Sequence, residues 1–364
     1  ISISNLNVVQ TIYGLDESDR LFQEFVNTLI DIFEENSNLY RKSTNKFAYL
    51  IEKDLDILFL INKINKVLIK SVFDVIIGAS SKGDSLIITA NMALDFAIEH
   101  GLNYKMYNSQ IDITQKYQNK LFFKTIISNA INENNVFPVF QPIYDKDKNI
   151  LKYEVLMRIT SPDNNNNNRE HIYYPNQFMQ IAYESNKFIE LSSITIKKAF
   201  QKMQYSDKQF SINISYDDII NEYLIDLIEE QILQYKNVGN RLILEILETK
   251  DITDYQQVKK FIERFKKYGV KIALDDFGSG YSNLNHIISF HCDYVKIDGA
   301  LIKNIKNDTK SLAIVRSVVS FTKELGIKVI AEYVANKEIF EITKKLGIDE
   351  FQGFYLSKPL RNIL

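Results

Sequence analysis

The chain has 364 residues, 45% of them hydrophobic and 25% charged, with a formal net charge of −2 at pH 7. That length suggests two or three domains of ordinary globular composition, and so small a charge argues against a nucleic-acid polymer or an anionic membrane surface as partner. One cysteine, Cys292, excludes a disulfide within the chain and points to a reducing, cytoplasmic setting; with four histidines it leaves little material for a zinc site.

No apolar run approaches transmembrane length. The chain begins at Ile1 in what already reads as a strand, so an upstream sensor or membrane anchor is expected outside this sequence. Ile1–Leu6 reads as a short strand. Phe22, Phe25, Val26, Leu29, Ile32 and Phe33 recur at helical spacing, which predicts an amphipathic helix over Asp19–Glu35. Leu39–Arg41 and Phe47–Ile51 flank the polar turn Lys42–Lys46 and predict a hairpin. A helix over Asp54–Ile69, a strand over Ser71–Gly78 and a helix over Ser85–His100, closed by Gly101, complete residues 1–108. The order βαββαβ, followed by that last helix, predicts an α+β domain with helices on a mostly antiparallel sheet.

This first region resembles a GGDEF, or diguanylate cyclase, domain through Val9–Gly14, the hairpin, Phe73–Gly78 and Ala90–Leu94. The residues that the resemblance would make catalytic are missing. Asn45 and Lys46 stand where the naming hairpin has its acids, and Ser2 and Ser4 where the first strand has metal-binding acids. Without carboxylates to hold a cation against a triphosphate, cyclase chemistry is not expected. No inhibitory Arg-x-x-Asp precedes the hairpin, because Glu34 and Ser37 occupy its place. The resemblance therefore implies a degenerate, regulatory or structural domain. Residues 109–134 follow as a helical linker, with Leu121, Phe122, Ile126, Ile127 and Ile131 as its apolar positions.

Residues 135–364 read differently. Eight short apolar strands are expected at Phe137–Pro142, Tyr153–Met157, Gln209–Ile214, Leu242–Ile246, Lys271–Leu274, Tyr294–Ile297, Lys328–Ala331 and Glu350–Gly353. Helical patterns separate them at Pro175–Glu184, Asp217–Gln234, Val258–Tyr268, Ser311–Leu325 and Lys337–Leu346. That alternation predicts a closed (β/α)8, TIM-like barrel. Asp145–Asn149 is too short for a parallel crossover, so the first strand should pair antiparallel with the second. The asparagine run Asn164–Asn168 reads as a loop insertion without chemistry.

Seven of the strands carry a polar or ionisable residue. Glu154 interrupts the second strand; Asn213, Glu245 and Lys296 alternate with apolar neighbours, so they face away from them. Asp275 and Asp276 end the fifth strand ahead of the loop Gly278-Ser279-Gly280, Asp298 shares the face of Lys296, Glu332 ends the seventh strand, and Gln352 lies on the last. Taken alone, Asp275-Asp276 reads equally well as a solvated turn. Seven such strand ends in one barrel are harder to explain as packing. Their acidic excess calls for cations, and carboxylate and amide oxygens without Cys or His point to Mg²⁺ or Mn²⁺.

These residues closely resemble the EAL-domain cyclic-di-GMP phosphodiesterases from Val136 to Pro359. The motifs are Phe140-Gln141-Pro142-Ile143, Glu154-Val155-Leu156-Met157-Arg158, Ser211-Ile212-Asn213-Ile214-Ser215 and Leu244-Glu245-Ile246-Leu247-Glu248. They continue as Leu274–Gly280, Val295-Lys296-Ile297-Asp298-Gly299, Ala331-Glu332 and Gln352-Gly353-Phe354. The resemblance implies cleavage of cyclic-di-GMP to linear pGpG with two ions per site. It implies Glu154, Asn213, Glu245, Asp275 and Asp276 as metal residues, with Glu332 and Gln352 at the ions and waters. Lys296 matches the lysine that orients or activates the attacking water. Arg158 matches a phosphate contact and Gln141 a guanine contact, with Asp298 also on the substrate side. Glu248 matches an acid bracing the loop after Asp276, a loop tied to homodimerisation.

Val155 departs from the naming tripeptide without removing a ligand, and Ser279 keeps the hydroxyl of the commoner threonine. Ala335 stands where the family usually has a second glutamate, which bears on rate more than on metal binding. The alternatives are a non-catalytic cyclic-di-GMP receptor, or a signalling scaffold using both domains as surfaces. Neither supplies a physical reason to keep so costly an acidic cluster.

Overall fold

The computed structural model describes residues 1–33, 38–51, 59, 61–64, 71–82, 85–112, 114–162, 170–235, 237–247, 254–278 and 284–363. Glu34, Ser37, nearly all of the expected helix 54–69, the asparagine run, Glu248 and Ser279–Asn283 lie outside the described residues. The chain divides into two compact units, Ile1–Asn119 and Lys120–Leu364. No helix among the described residues is long and apolar enough to cross a membrane.

In the first unit β1 (Ser2–Ile3) precedes the hairpin of β2 (Leu39–Arg41) and β3 (Phe47–Tyr49), whose strands pair antiparallel. β4 (Val75–Ala79) pairs antiparallel with β1 and parallel with β5 (Tyr104–Met106). Ile3 N donates to Asn45 O and Phe47 N to Ile1 O, each at 2.9 Å, so the hairpin continues the sheet beside β1. Phe25, Leu29, Phe47, Phe73 and Ile77 form the core beneath. Two elements differ from expectation. Leu6–Tyr13 is a helix, with Leu6 and Val9 buried one turn apart while Val8 and Ile12 stay exposed, so the expected strand Ile1–Leu6 is shortened to Ser2–Ile3. β5 is three residues long, below what a pattern can show, and its parallel pairing makes the sheet mixed rather than mostly antiparallel.

In the second unit the later part of the helix Thr114–Asn132 buries Ile126, Ile127 and Ala130 against Val136, Ile159 and Phe178. Eight strands then close a barrel: β6 (Val136–Tyr144), β7 (Ile150–Pro162), β9 (Gln209–Ile214), β10 (Leu242–Leu247), β11 (Lys271–Phe277), β12 (Tyr294–Ile297), β13 (Lys328–Ala331) and β14 (Glu350–Phe351), which returns to β6. β6 runs antiparallel to β7 as expected. Their tight turn is held by Asp145 Oδ1, which accepts from the backbone of Asp147 and of Asn149 at 2.8 Å. β8 (Glu170–Tyr173), which the sequence does not reveal, pairs with the outer end of β7. Outward residues such as Phe210, Leu244, Ile272 and Val295 pack under the helices. Those helices start on side-chain caps, for example Asn221, Asp254, Asp308 and Asn336.

The inward faces form layers. At the end where the parallel strands begin, Lys152 Nζ meets Glu350 Oε2 at 2.7 Å, with both side chains almost wholly buried. The ammonium lies 3.4 Å from the Tyr294 ring centroid. Ile143, Ile243, Ala273 and Ile330 form an apolar layer with Tyr294. The next inward residues toward the strand ends are Glu154, Asn213, Glu245, Asp275, Lys296 and Gln352, two positions along from Lys152, Ser211, Ile243, Ala273, Tyr294 and Glu350.

Candidate active site

Lys296 is the centre of the open end. Its ammonium is fully buried and lies 2.7 Å from Glu245 Oε2, 2.7 Å from Glu332 Oε1, 3.0 Å from Asp275 Oδ1 and 3.7 Å from Glu154 Oε1. Strand alternation places it there, because Val295 and Ile297 point outward into the core. Glu154 is fixed from two sides. Asn213 Nδ2 donates to its Oε1 at 2.8 Å and Gln352 Nε2 to its Oε2 at 2.5 Å. Both amides thereby keep their carbonyl oxygens for another partner, and Gln352 Oε1 is buried with none.

Strict alternation would turn Asp276 away from Asp275. A bulge prevents it: three residues of β11 from Asp275 to Phe277 span what β12 covers with two, Lys296 and Ile297. Asp276 takes φ +54° at this point. As a result Asp275, Asp276 and Glu332 offer carboxylate oxygens all within 4.8 Å of one another.

Five carboxylates thus surround one lysine, with Arg158 further along β7. Burial, then repulsion from Glu154 and Asp275, raises Glu245 to about 8 despite the attraction of Lys296. Burial likewise raises Glu332 well above the usual range, and Asp276 is pushed up to about 6 by burial and by Asp275 and Asp298. Burial would lower Lys296, but the acids outweigh it and hold its pKa well above the ordinary lysine value. Glu245 Oε1 is buried without a hydrogen-bond partner. An excess of buried carboxylates, an orphaned carboxylate oxygen and two amides with free oxygens are the donor set of a hard divalent cation, so these residues fit Mg²⁺ or Mn²⁺.

The remaining expected residues sit around this centre. Gln141 pairs with Glu154 across β6 and β7 and so faces the same side. Arg158, four residues beyond Glu154 on β7, is buried, and burial pulls its pKa down. Its guanidinium lies 4.6 Å from the Tyr174 ring centroid, and it donates to Met157 O at 2.7 Å. Tyr174, which sequence reasoning missed, positions this arginine; nothing in its local pattern announces that role. Asp298 is not in the cluster. Its Oδ1 caps the helix Gly299–Asn304 by accepting from Ala300 N at 2.6 Å.

A family profile described as "EAL domain" matches residues 125–359. The cyclic di-GMP phosphodiesterase PdeB of Shewanella oneidensis is 31% identical over 240 residues, covering 64% of this chain and 27% of that protein. The cyclic di-GMP phosphodiesterase PdeA of Borreliella burgdorferi is 28% identical over 311 residues, covering 77% of this chain and 45% of that protein. A crystal structure of an EAL domain protein from Listeria monocytogenes EGD-e aligns with a TM-score of 0.58 at 28% identity, over 65% of this chain and 94% of that one. The chain spans less than half the length of these two curated relatives.

Proposed function

The chain belongs to the EAL domain family, and from that premise we propose that its barrel hydrolyses one phosphodiester bond of cyclic-di-GMP to give linear pGpG. The observation that carries this reading is Lys296 buried among Glu154, Glu245, Asp275 and Glu332. Glu154, Asn213, Glu245, Asp275 and Asp276 would hold two divalent cations, Mg²⁺ or Mn²⁺, assisted by Glu332 and Gln352. Such ions supply an attacking water of lowered pKa and neutralise charge on the phosphoryl oxygens.

The chain's own side chains do the rest. Lys296 stays protonated, so it donates and positions the water rather than removing its proton; a carboxylate of the cluster takes that proton. The water oxygen bonds to phosphorus, the P–O ester bond breaks, and the ribose oxygen leaves, taking up as its hydroxyl proton the one the carboxylate accepted. Arg158 is a buried cation with donors to spare and meets a substrate phosphate. Gln141 contacts a guanine, and Asp298 lies on the substrate side. The resemblance also assigns Glu248 a part in homodimerisation.

Residues 1–108 act as a degenerate GGDEF domain. Asn45 and Lys46 replace its acids, and Asn45 Nδ2 is committed to Ile3 O at 3.0 Å. It regulates the barrel of residues 135–364 through the helical segment 109–134, in the cytoplasm. Incubating the purified chain with cyclic-di-GMP, with and without Mg²⁺ or Mn²⁺, and resolving the products by chromatography tests the reading. Cation-dependent pGpG is expected; bound but intact cyclic-di-GMP would make the barrel a receptor instead.

A further inference from the structure

Tyr333 follows Glu332 where the chain leaves β13. Its φ is +55°, a left-handed conformation that bulky residues rarely adopt and that persists where the surroundings or a function demand it. Burial does not demand it here, because the residue is 66% exposed. The ring lies instead against Gly299, the residue after Asp298 at the exit of β12. A Cβ built on Gly299 would stand 2.9 Å from both Cβ and Cδ2 of Tyr333, so glycine is what lets the ring settle there. One side of the ring is backed by chain and the rest is open. It sits at the rim of the barrel, one residue from the carboxylate that reaches Lys296 at 2.7 Å. Beside it Asp298 spends Oδ1 on the helix cap, while Oδ2 has no hydrogen-bond partner among the described residues.

An open aromatic face beside a free carboxylate oxygen matches guanine. The ring offers a stacking surface, and the oxygen accepts from the N–H groups on the base edge. We propose that Tyr333 is the stacking platform for one guanine of the substrate, backed by Gly299, and that it sets affinity rather than the rate of the chemical step. This rests on the phosphodiesterase reading above. Strain at an exposed aromatic is then tolerated because it presents the ring to a ligand. It also follows that Gly299 serves the site without touching substrate.

The test compares wild type with Tyr333→Ala, Tyr333→Phe, Tyr333→Gly and Gly299→Ala, measuring KM, kcat and melting temperature. Loss of one stacked base is expected to raise KM about tenfold in Tyr333→Ala, with the loss falling on KM rather than kcat. Tyr333→Phe should restore wild-type KM, and Gly299→Ala should raise KM by displacing an intact ring. Tyr333→Gly should bind as weakly as Tyr333→Ala yet melt no lower than wild type, since glycine adopts this φ freely. A cleaving wild type whose KM is unchanged in Tyr333→Ala would overturn the stacking role alone. A wild type that neither binds nor cleaves cyclic-di-GMP would overturn the phosphodiesterase reading and this role with it.

Discussion

At the end of the barrel bore where the parallel strands begin, Glu350 lies 2.7 Å from Lys152 and 3.8 Å from Lys328, one acid against two lysines. Two residues further along the same strands, Lys296 meets four carboxylates, and Asp276 adds a fifth acid. Lys152 and Lys296 are both buried, and both come from the inward face of a strand. The difference is stoichiometry. Around Glu350 the lysines already supply the positive charge, so no added cation is called for. An unmatched cluster carries repulsion that packing cannot relieve, and the open end is where ions and solvent can reach it. Burial acts on the two ends in opposite ways too. It lowers Lys152 to about 8, with Glu350 only partly offsetting the loss, whereas the acids around Lys296 override it.

Substitution should separate the two ends, most sharply in turnover. Glu154→Ala removes the acid that Asn213 and Gln352 hold in place, and Lys296→Met removes the buried donor. Each is expected to lower kcat by roughly 10²–10³-fold, the scale set by removing one preorganised polar group. Glu350→Gln should leave kcat within a few-fold, as measured by pGpG formation. If Glu350→Gln were as damaging as Glu154→Ala, the two ends would not differ in role.

Stability should show the reverse order. Glu350→Gln leaves Lys152 buried and unpaired, which costs about 3–5 kcal/mol in denaturant unfolding. Replacing both members of that pair with methionine should be near neutral, because the buried pair contributes little beyond its own desolvation. In the cation-free protein Glu245→Gln is expected to cost less than Glu350→Gln, since burial and the neighbouring Glu154 and Asp275 already favour the protonated form of Glu245 that glutamine mimics. A large loss for Glu245→Gln would mean that the mouth, too, is built for stability.

The smallest of these effects lies in pH. Asp276 and Glu245 titrate in the fold near 6 and 8, above the ordinary carboxylate values near 4. The folded state therefore holds protons that the unfolded chain has released. The contribution of these two groups to cation-free stability should be largest near pH 4 and fall as pH rises through 6 to 8. Cations compete with those same protons, so Mn²⁺ affinity should rise over the same window. Melting curves at a series of pH values, with chelator or with Mn²⁺, check both slopes. Curves that ran parallel would contradict the link between them.

Much of this was legible in the sequence because a barrel writes its inward face at a period of two. Asn213, Glu245 and Lys296 stand out against Ile212, Ile214, Leu244, Ile246, Val295 and Ile297 for that reason. The antiparallel first pair followed from the length of one turn. Other features depend on contacts that no local pattern carries. Lys152 and Glu350 are 198 residues apart, and each looks like an ordinary solvated charge at a strand start. That Asp276 joins Asp275 depends on a one-residue bulge and a positive φ, neither of which the adjacent acids announce. Asp298 reads as an inward residue, yet its nearest use is to begin a helix. Tyr333 looks like a stray aromatic until its φ and its contact with Gly299 are known.

The most direct measurement is the number of Mn²⁺ ions that the folded chain retains in equilibrium dialysis at pH 8, for wild type, Asp275→Asn and Glu350→Gln. Two ions per chain are expected for wild type and for Glu350→Gln, with the loss of at least one in Asp275→Asn. A folded wild type that retains no ion, or an Asp275→Asn variant that retains both, would contradict the claim that the acids around Lys296 are there for cations.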